Sequence, residues 1–193
     1  MKTSLLIIIF LLLLAPSYAS DEIFIKAHNT FISIGDKKEN TTKAIEILSK
    51  GLLEDPLEID LLIFRAQLNT SLGEFNKAYQ DVKLVTRLRP KASSYKFWEC
   101  TFVEKFNGTT NSTIDCYKKT SELVAAELGD KKDIDFGYIY TLLLAENPQG
   151  KVLAEKLLKT LTNSTTDEFY RELLENFDRK NSLPKATNES ANW

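Results

Sequence analysis

An all-α fold is predicted for this chain: three to four helical hairpins in an array, closed by a C-terminal helix. Three observations predict it. Apolar residues recur at three- and four-residue steps through the long segments that follow residue 20, which is the spacing of one helix face. The seven glycines and five prolines fall mostly between those segments, where they end helices rather than break them. The segments AIEILSKGLLEDP and AYQDVKLVTRLRP align without a gap, Ala44 with Ala78 and Pro56 with Pro90, so the pattern repeats at a fixed period of 34 residues.

Taken in order, Met1-Lys2-Thr3 is a short positive start and Leu5 to Leu14 an unbroken apolar run. Ala15-Pro16-Ser17-Tyr18-Ala19 then offers small residues for a cut after Ala19, so residues 1–19 read as a secretory signal peptide. The apolar run falls short of the ~20 residues that a spanning helix needs, and no later segment is longer. A helical repeat domain is expected over 20–178. Its clearest part is Asp60 to Ala92: a helix, a turn at Leu72-Gly73, a second helix from Phe75, and a stop at Pro90. Small residues, Ala66 and Ala78, let the two helices approach closely. A third hairpin begins with an aromatic-rich helix from Tyr95 to Phe106 and turns through Asn107 to Asn111. Ser112 and Asp115 resemble a capping box opening its second helix. Gly129-Asp130-Lys131-Lys132 is a charged connection. A fourth hairpin pairs Phe136–Ala145 with Lys151–Leu161 around Asn147-Pro148-Gln149-Gly150. Asp167 to Phe177 is a last amphipathic helix, with Phe169, Leu173, Leu174 and Phe177 expected on one side to cover the final apolar face. Residues 179–193 are polar and aperiodic, a disordered tail by composition.

The arrangement of Ala66, Gly73, Phe75, Ala78 and Pro90 resembles the tetratricopeptide repeat (TPR) family. The likeness covers residues 21 to 92 well and loosens beyond. Leu62, Arg65 and Ala66 stand where the ideal first helix has its tryptophan and Leu-Gly pair. The resemblance implies a right-handed α-solenoid whose first helices line a concave groove. Carried over through Ala66, it places Ile25, Asn29 and Ile32 of the first repeat on that groove. Ile63, Phe64, Gln67, Thr70 and Ser71 follow from the second, Trp98, Phe102, Lys105 and Phe106 from the third, and Phe136, Ile139, Tyr140 and Leu143 from a fourth. It also sets His28 at the packed place held by Ala66. The family's carboxylate clamp is not expected, because Ile25 and Phe64 stand where it wants basic or amide residues and only Asn29 fits. The chain is similar to luminal TPR co-chaperones, but it has no J domain: His28 is followed by Asn29 rather than by Pro-Asp.

Catalytic chemistry has little to stand on. There is one histidine, and no phosphate loop, nucleophile elbow or His-Glu-X-X-His run. Paired acids such as Glu54-Asp55 sit at helix ends. With 25 basic and 27 acidic side chains the formal charge is −2, one unit more negative once Lys2 leaves with the leader, which invites neither nucleic acid nor an anionic membrane. The two cysteines, Cys100 and Cys116, form either one disulfide across the third hairpin or two buried thiols, and they match no zinc spacing. Six Asn-X-Ser/Thr sequons, at Asn40, Asn69, Asn107, Asn111, Asn163 and Asn188, exceed chance and point to a glycosylating, luminal history. Asn40, Asn107 and Asn111 are placed in turns that suit a glycan, and Asn69 inside a helix.

The expected function is therefore a non-enzymatic luminal or secreted module without cofactor or metal. It would hold an extended or unfolded peptide in an apolar groove, in the endoplasmic reticulum or beyond it. Two alternatives stay open: a dedicated subunit or adaptor docked on a membrane or luminal complex, and a small helical lipid-binding protein or enzyme that mimics the repeats.

Overall fold

The computed structural model describes residues 20–162 and 164–179; the leader assigned to 1–19 and the tail beyond Arg179 lie outside them. Among the described residues every regular element is a helix. No helix there is long and apolar enough to cross a membrane. The chain divides into two compact units, one reaching Leu88 and the other starting at Arg89.

The first unit contains α1 (20–32), α2 (Lys37–Glu54), α3 (Ile59–Ser71) and α4 (Phe75–Leu88). Its core repeats at the period read from the sequence. Ala44, Leu48 and Gly51 of α2 are buried, and so are Ala78, Val82 and Val85 of α4, each 34 residues further on. Packing rests on small residues. Ala27, Ala44, Ala66 and Ala78 have no exposed surface. At Gly51 an added Cβ would stand 2.8 Å from Ile23 Cγ2 and 3.0 Å from Leu61 Cδ1, so α1 and α3 close on α2 where it has no side chain. A polar tie crosses this core. Arg65 of α3 forks onto Asp81 of α4 at 2.9 and 2.6 Å and gives a third bond to Ser49 of α2 at 3.2 Å. Both partners lie midway along their helices, which makes α3 and α4 antiparallel about Gly73 (φ 77°).

One register differs from expectation. Ala27, not His28, fills the packed place in α1, and His28 is exposed. Counted back from the helix ends, Ala27 in α1 matches Ala66 in α3. The glycine alignment misses this because Gly35 lies eight residues after Ala27 whereas Gly73 lies seven after Ala66: α1 ends three residues before its glycine and α3 two.

The second unit contains α5 (Ser93–Asn107), α6 (Asn111–Leu128), a 3-10 turn (Gly129–Ile134), α7 (Phe136–Leu144), α8 (Pro148–Leu158) and α9 (Thr165–Glu175). The α6 cap is Thr110, whose hydroxyl accepts from the Thr113 amide at 3.3 Å, so the expected Ser112–Asp115 box lies two residues inside the helix. At the far end of the hairpin, Glu127 accepts from the Ser93 amide and hydroxyl at 2.8 and 2.6 Å, placing a carboxylate on the positive end of α5. Pro148 starts α8 three residues before the expected Lys151, since proline suits the first helical position.

Cys100 and Cys116 are joined as a disulfide, with Cα atoms 5.7 Å apart, and pack with Tyr117, Leu144 and Ala145. Beside them Ile139, Leu142 and Leu143 of α7 meet Leu153 and Leu157 of α8 and Leu174 of α9. Phe169 is exposed rather than on the covering side of α9; Leu174, with Phe177 just beyond the helix, makes that contact. Arg179, the first residue of the stretch assigned to the tail, has a defined place. Arg179 pairs with Glu104 of α5, and its guanidinium lies 5.5 Å from the Tyr117 ring centre.

Candidate functional site

The most structured candidate site lies in the first unit, between the first helices of its two hairpins. Phe24, His28 and Phe31 recur along one side of α1, at the spacing that puts i, i+4 and i+7 on one face. All three rings meet Phe64 of α3, at centroid distances of 5.2, 6.1 and 6.1 Å. At the amino-terminal end of this ladder the helices part into a concavity of about 440 Å³. Phe24, Leu61, Ile63 and Phe64 supply its apolar surface and Gln67 one side. Three carboxylates, Asp21, Glu58 and Asp60, stand on it and no basic side chain does. The local sequence explains two of them: Glu58 caps α3 and Asp60 stands in its first turn, where the helix dipole favours an anion, and Glu58 accepts from the Asp60 amide. Among the described residues none of the three is paired with a cation.

The groove expected from the repeat frame is present only in part. Ile63 and Gln67 line the concavity. Ile25 (58% exposed), Asn29 and Ile32 are on the outer surface of α1, and it is Phe24 that faces the concavity. Phe64 contributes an edge only, because the α1 rings cover the rest and leave it buried. In the second unit Trp98 is half-buried and Phe106 exposed, but Phe102 between them is 3% exposed, with their rings 6.0 and 6.3 Å from its own. Ile139 and Leu143 are core residues. The helix FGYIYTLLL is apolar on nearly every side, so it has no face to leave open. Tyr140 is half-buried, edge-on to Phe177 at 5.8 Å. Burial, and next to it the Glu104 carboxylate, holds the Tyr117 phenol far above its ordinary range; burial also raises Tyr140.

The sequons divide as well. Asn107 ends α5 and Asn111 begins α6, and both are exposed. Asn69 is 3% exposed inside α3. Asn40 lies not in a turn but in the first turns of α2, 9% exposed, with its Nδ2 donating to the Ser33 carbonyl at 2.8 Å. Asn163 and Asn188 lie outside the described residues. Sequence reasoning missed Asp21, Phe24, Glu58 and Asp60 as site residues. Glu58 and Asp60 are legible as acids at a helix start, but nothing in one dimension brings Asp21 and Phe24 beside them. No group of three or more His, Cys, Asp or Glu side chains among the described residues is arranged to hold a metal ion. No protein-family model and no curated protein matches the chain, so its reading rests on this geometry.

Proposed function

We propose that the chain is a non-enzymatic interaction module of the secretory pathway, with TPR-like hairpins, which holds an extended peptide in the concavity between α1 and α3. The observation that carries it is the aromatic and aliphatic surface bordered by three uncompensated carboxylates. Such a surface suits a peptide with apolar side chains for Phe24, Ile63 and Phe64 and a lysine or arginine for the acids, whose charges attract it at contact and whose aromatic neighbours favour a cation over their faces. The secretory assignment is supported by the leader pattern, the sequons and the disulfide, which is characteristic of oxidising compartments.

The test is a titration of fluorescent dodecamers, one alternating leucine with lysine and one alternating leucine with glutamate. The basic peptide should bind and the acidic one should not. Asp21→Lys/Asp60→Lys should weaken binding at least tenfold without moving the melting temperature, since both residues are exposed. Equal binding of both peptides, or indifference to the charge reversal, would exclude the site. One observation favours permanent docking on a single partner instead: Ile25 and Ile32 expose an apolar stripe on the outside of α1, with Ile34 beyond it. Capture after mild crosslinking separates the two, since a client-holding protein yields many substoichiometric chains and a subunit one stoichiometric chain.

A further inference from the structure

We infer that the folded protein carries N-linked glycans on Asn107 and Asn111, at the two ends of the α5–α6 turn, and that its fold excludes them from Asn40 and Asn69. The inference rests on the secretory reading and takes it to single residues. The sequons are alike in sequence and differ in what folding does to the acceptor nitrogen. In the transfer, the bond from the sugar C1 to a polyprenyl diphosphate breaks and a bond from C1 to Nδ2 forms. The amide loses one proton, and the polyprenyl diphosphate leaves. The product is a bulky, hydrated group fixed to the asparagine, which the folded surface must accommodate.

The α5–α6 turn can do so. Asn107 and Asn111 are exposed, as are Gly108, Thr109 and Thr110 between them, and a Cβ added at Gly108 would meet nothing within 4 Å. The sequon hydroxyls there have structural work of their own. Thr113 is fully buried and donates to the Gly108 carbonyl at 2.8 Å, and Thr109 donates to Glu104 at 3.0 Å. The transferase must therefore read these hydroxyls before the hairpin closes, after which the sugars remain outside, Thr113 turns in and Thr109 is held by Glu104. At Asn69 and Asn40 the same order of events fails. A sugar on Asn69 would have to leave through the packed face of α3. One on Asn40 would sit on the buried nitrogen that donates to the Ser33 carbonyl just past α1. Chains modified at either place cannot complete the first unit, so the folded population lacks them.

The experiment expresses the full chain in a secretory eukaryotic host in two forms, one with its own first 19 residues and one with a leader of known secretory function in their place. The monodisperse folded fraction is treated with an amide-cleaving glycosidase in heavy-oxygen water, and each asparagine is read by peptide mass spectrometry. Asn107 and Asn111 should be labelled in most molecules of both forms, and Asn40 and Asn69 at least tenfold less. Asn107→Gln/Asn111→Gln should remove both labels and leave the fold intact. Label on Asn40 or Asn69 in folded protein, or bare Asn107 and Asn111 behind the known leader, overturns the inference. Label behind the known leader but none behind the native one supports it and overturns the secretory reading alone.

Discussion

The ion pair Arg65–Asp81 and the disulfide Cys100–Cys116 hold the same place in their hairpins. Each pair is 16 residues apart and is centred on the turn glycine, Gly73 in one unit and Gly108 in the other, both at positive φ. Around the ion pair the core is built of alanine, valine and leucine at a strict period. Around the disulfide it is built of tyrosine, leucine and the bridge itself. Where small residues repeat, two helices meet along their whole length and a polar tie suffices. Where the repeat has drifted and larger side chains hold the helices, a covalent tie stands in its stead.

This comparison can be broken by removing the ties. Cys100→Ala and Cys100→Ala/Cys116→Ala should each cost about 3 kcal/mol, the loop-closure value for a ring of this size, and the two should cost the same, because either one abolishes the crosslink. Hydrogen exchange resolved by segment should show the loss in residues 93–158 and not in 37–88. The ion pair should behave differently. Asp81→Ala should cost about 2–3 kcal/mol, below the full value for a broken buried pair because Arg65 keeps partial contact with water. Arg65→Met/Asp81→Leu should cost less than the single change, since no unmatched charge remains. A double variant worse than the single one would mean that shape, not charge, makes the tie.

The smallest expected effect sharpens the contrast by pH. Burial first, then the carboxylate of Glu104, raises Tyr117, and burial raises Tyr140, so the folded second unit retains both phenolic protons where an unfolded chain would release them. Their contribution is complete below the unfolded value of about 10 and is lost as pH rises above it. The second unit should therefore loosen in alkali before the first, read as tyrosinate absorbance against segment-resolved exchange. Ionisation of Tyr117 and Tyr140 themselves at pH 10, read as the absorbance lost on Tyr117→Phe/Tyr140→Phe, with full protection would refute it.

How far the sequence could be read follows the same division. Ala44, Ala78, Pro56 and Pro90 are visible because a period needs no third dimension, and α3, α4 and α7 lie within a residue or two of their expected bounds. The register of α1 slips by one because one more residue separates its end from Gly35 than separates α3 from Gly73, and a glycine alignment does not show it. Ile139 and Leu143 are misassigned because a wholly apolar helix carries no mark of which side meets a neighbour. Burial of Asn40 and Asn69 is invisible in a three-residue motif. Arg65 with Asp81 escaped notice, although two opposite charges placed symmetrically about a turn glycine are the same signal that makes Cys100 and Cys116 legible.

The Glu104–Arg179 pair sets a timetable for the chain's birth. The two residues are 75 apart, whereas the Arg65–Asp81 tie spans 16. A chain made at about 5–20 residues per second would wait roughly 4–15 s between the appearance of the acid and that of its base. The first unit can close while the ribosome is still working, before the second unit is complete. In the second unit both cysteines emerge before Arg179, so the bridge can form ahead of the last charge-neutralising contact. A bridge formed then would hold α5 to α6 through the interval in which Glu104 has no arginine to meet.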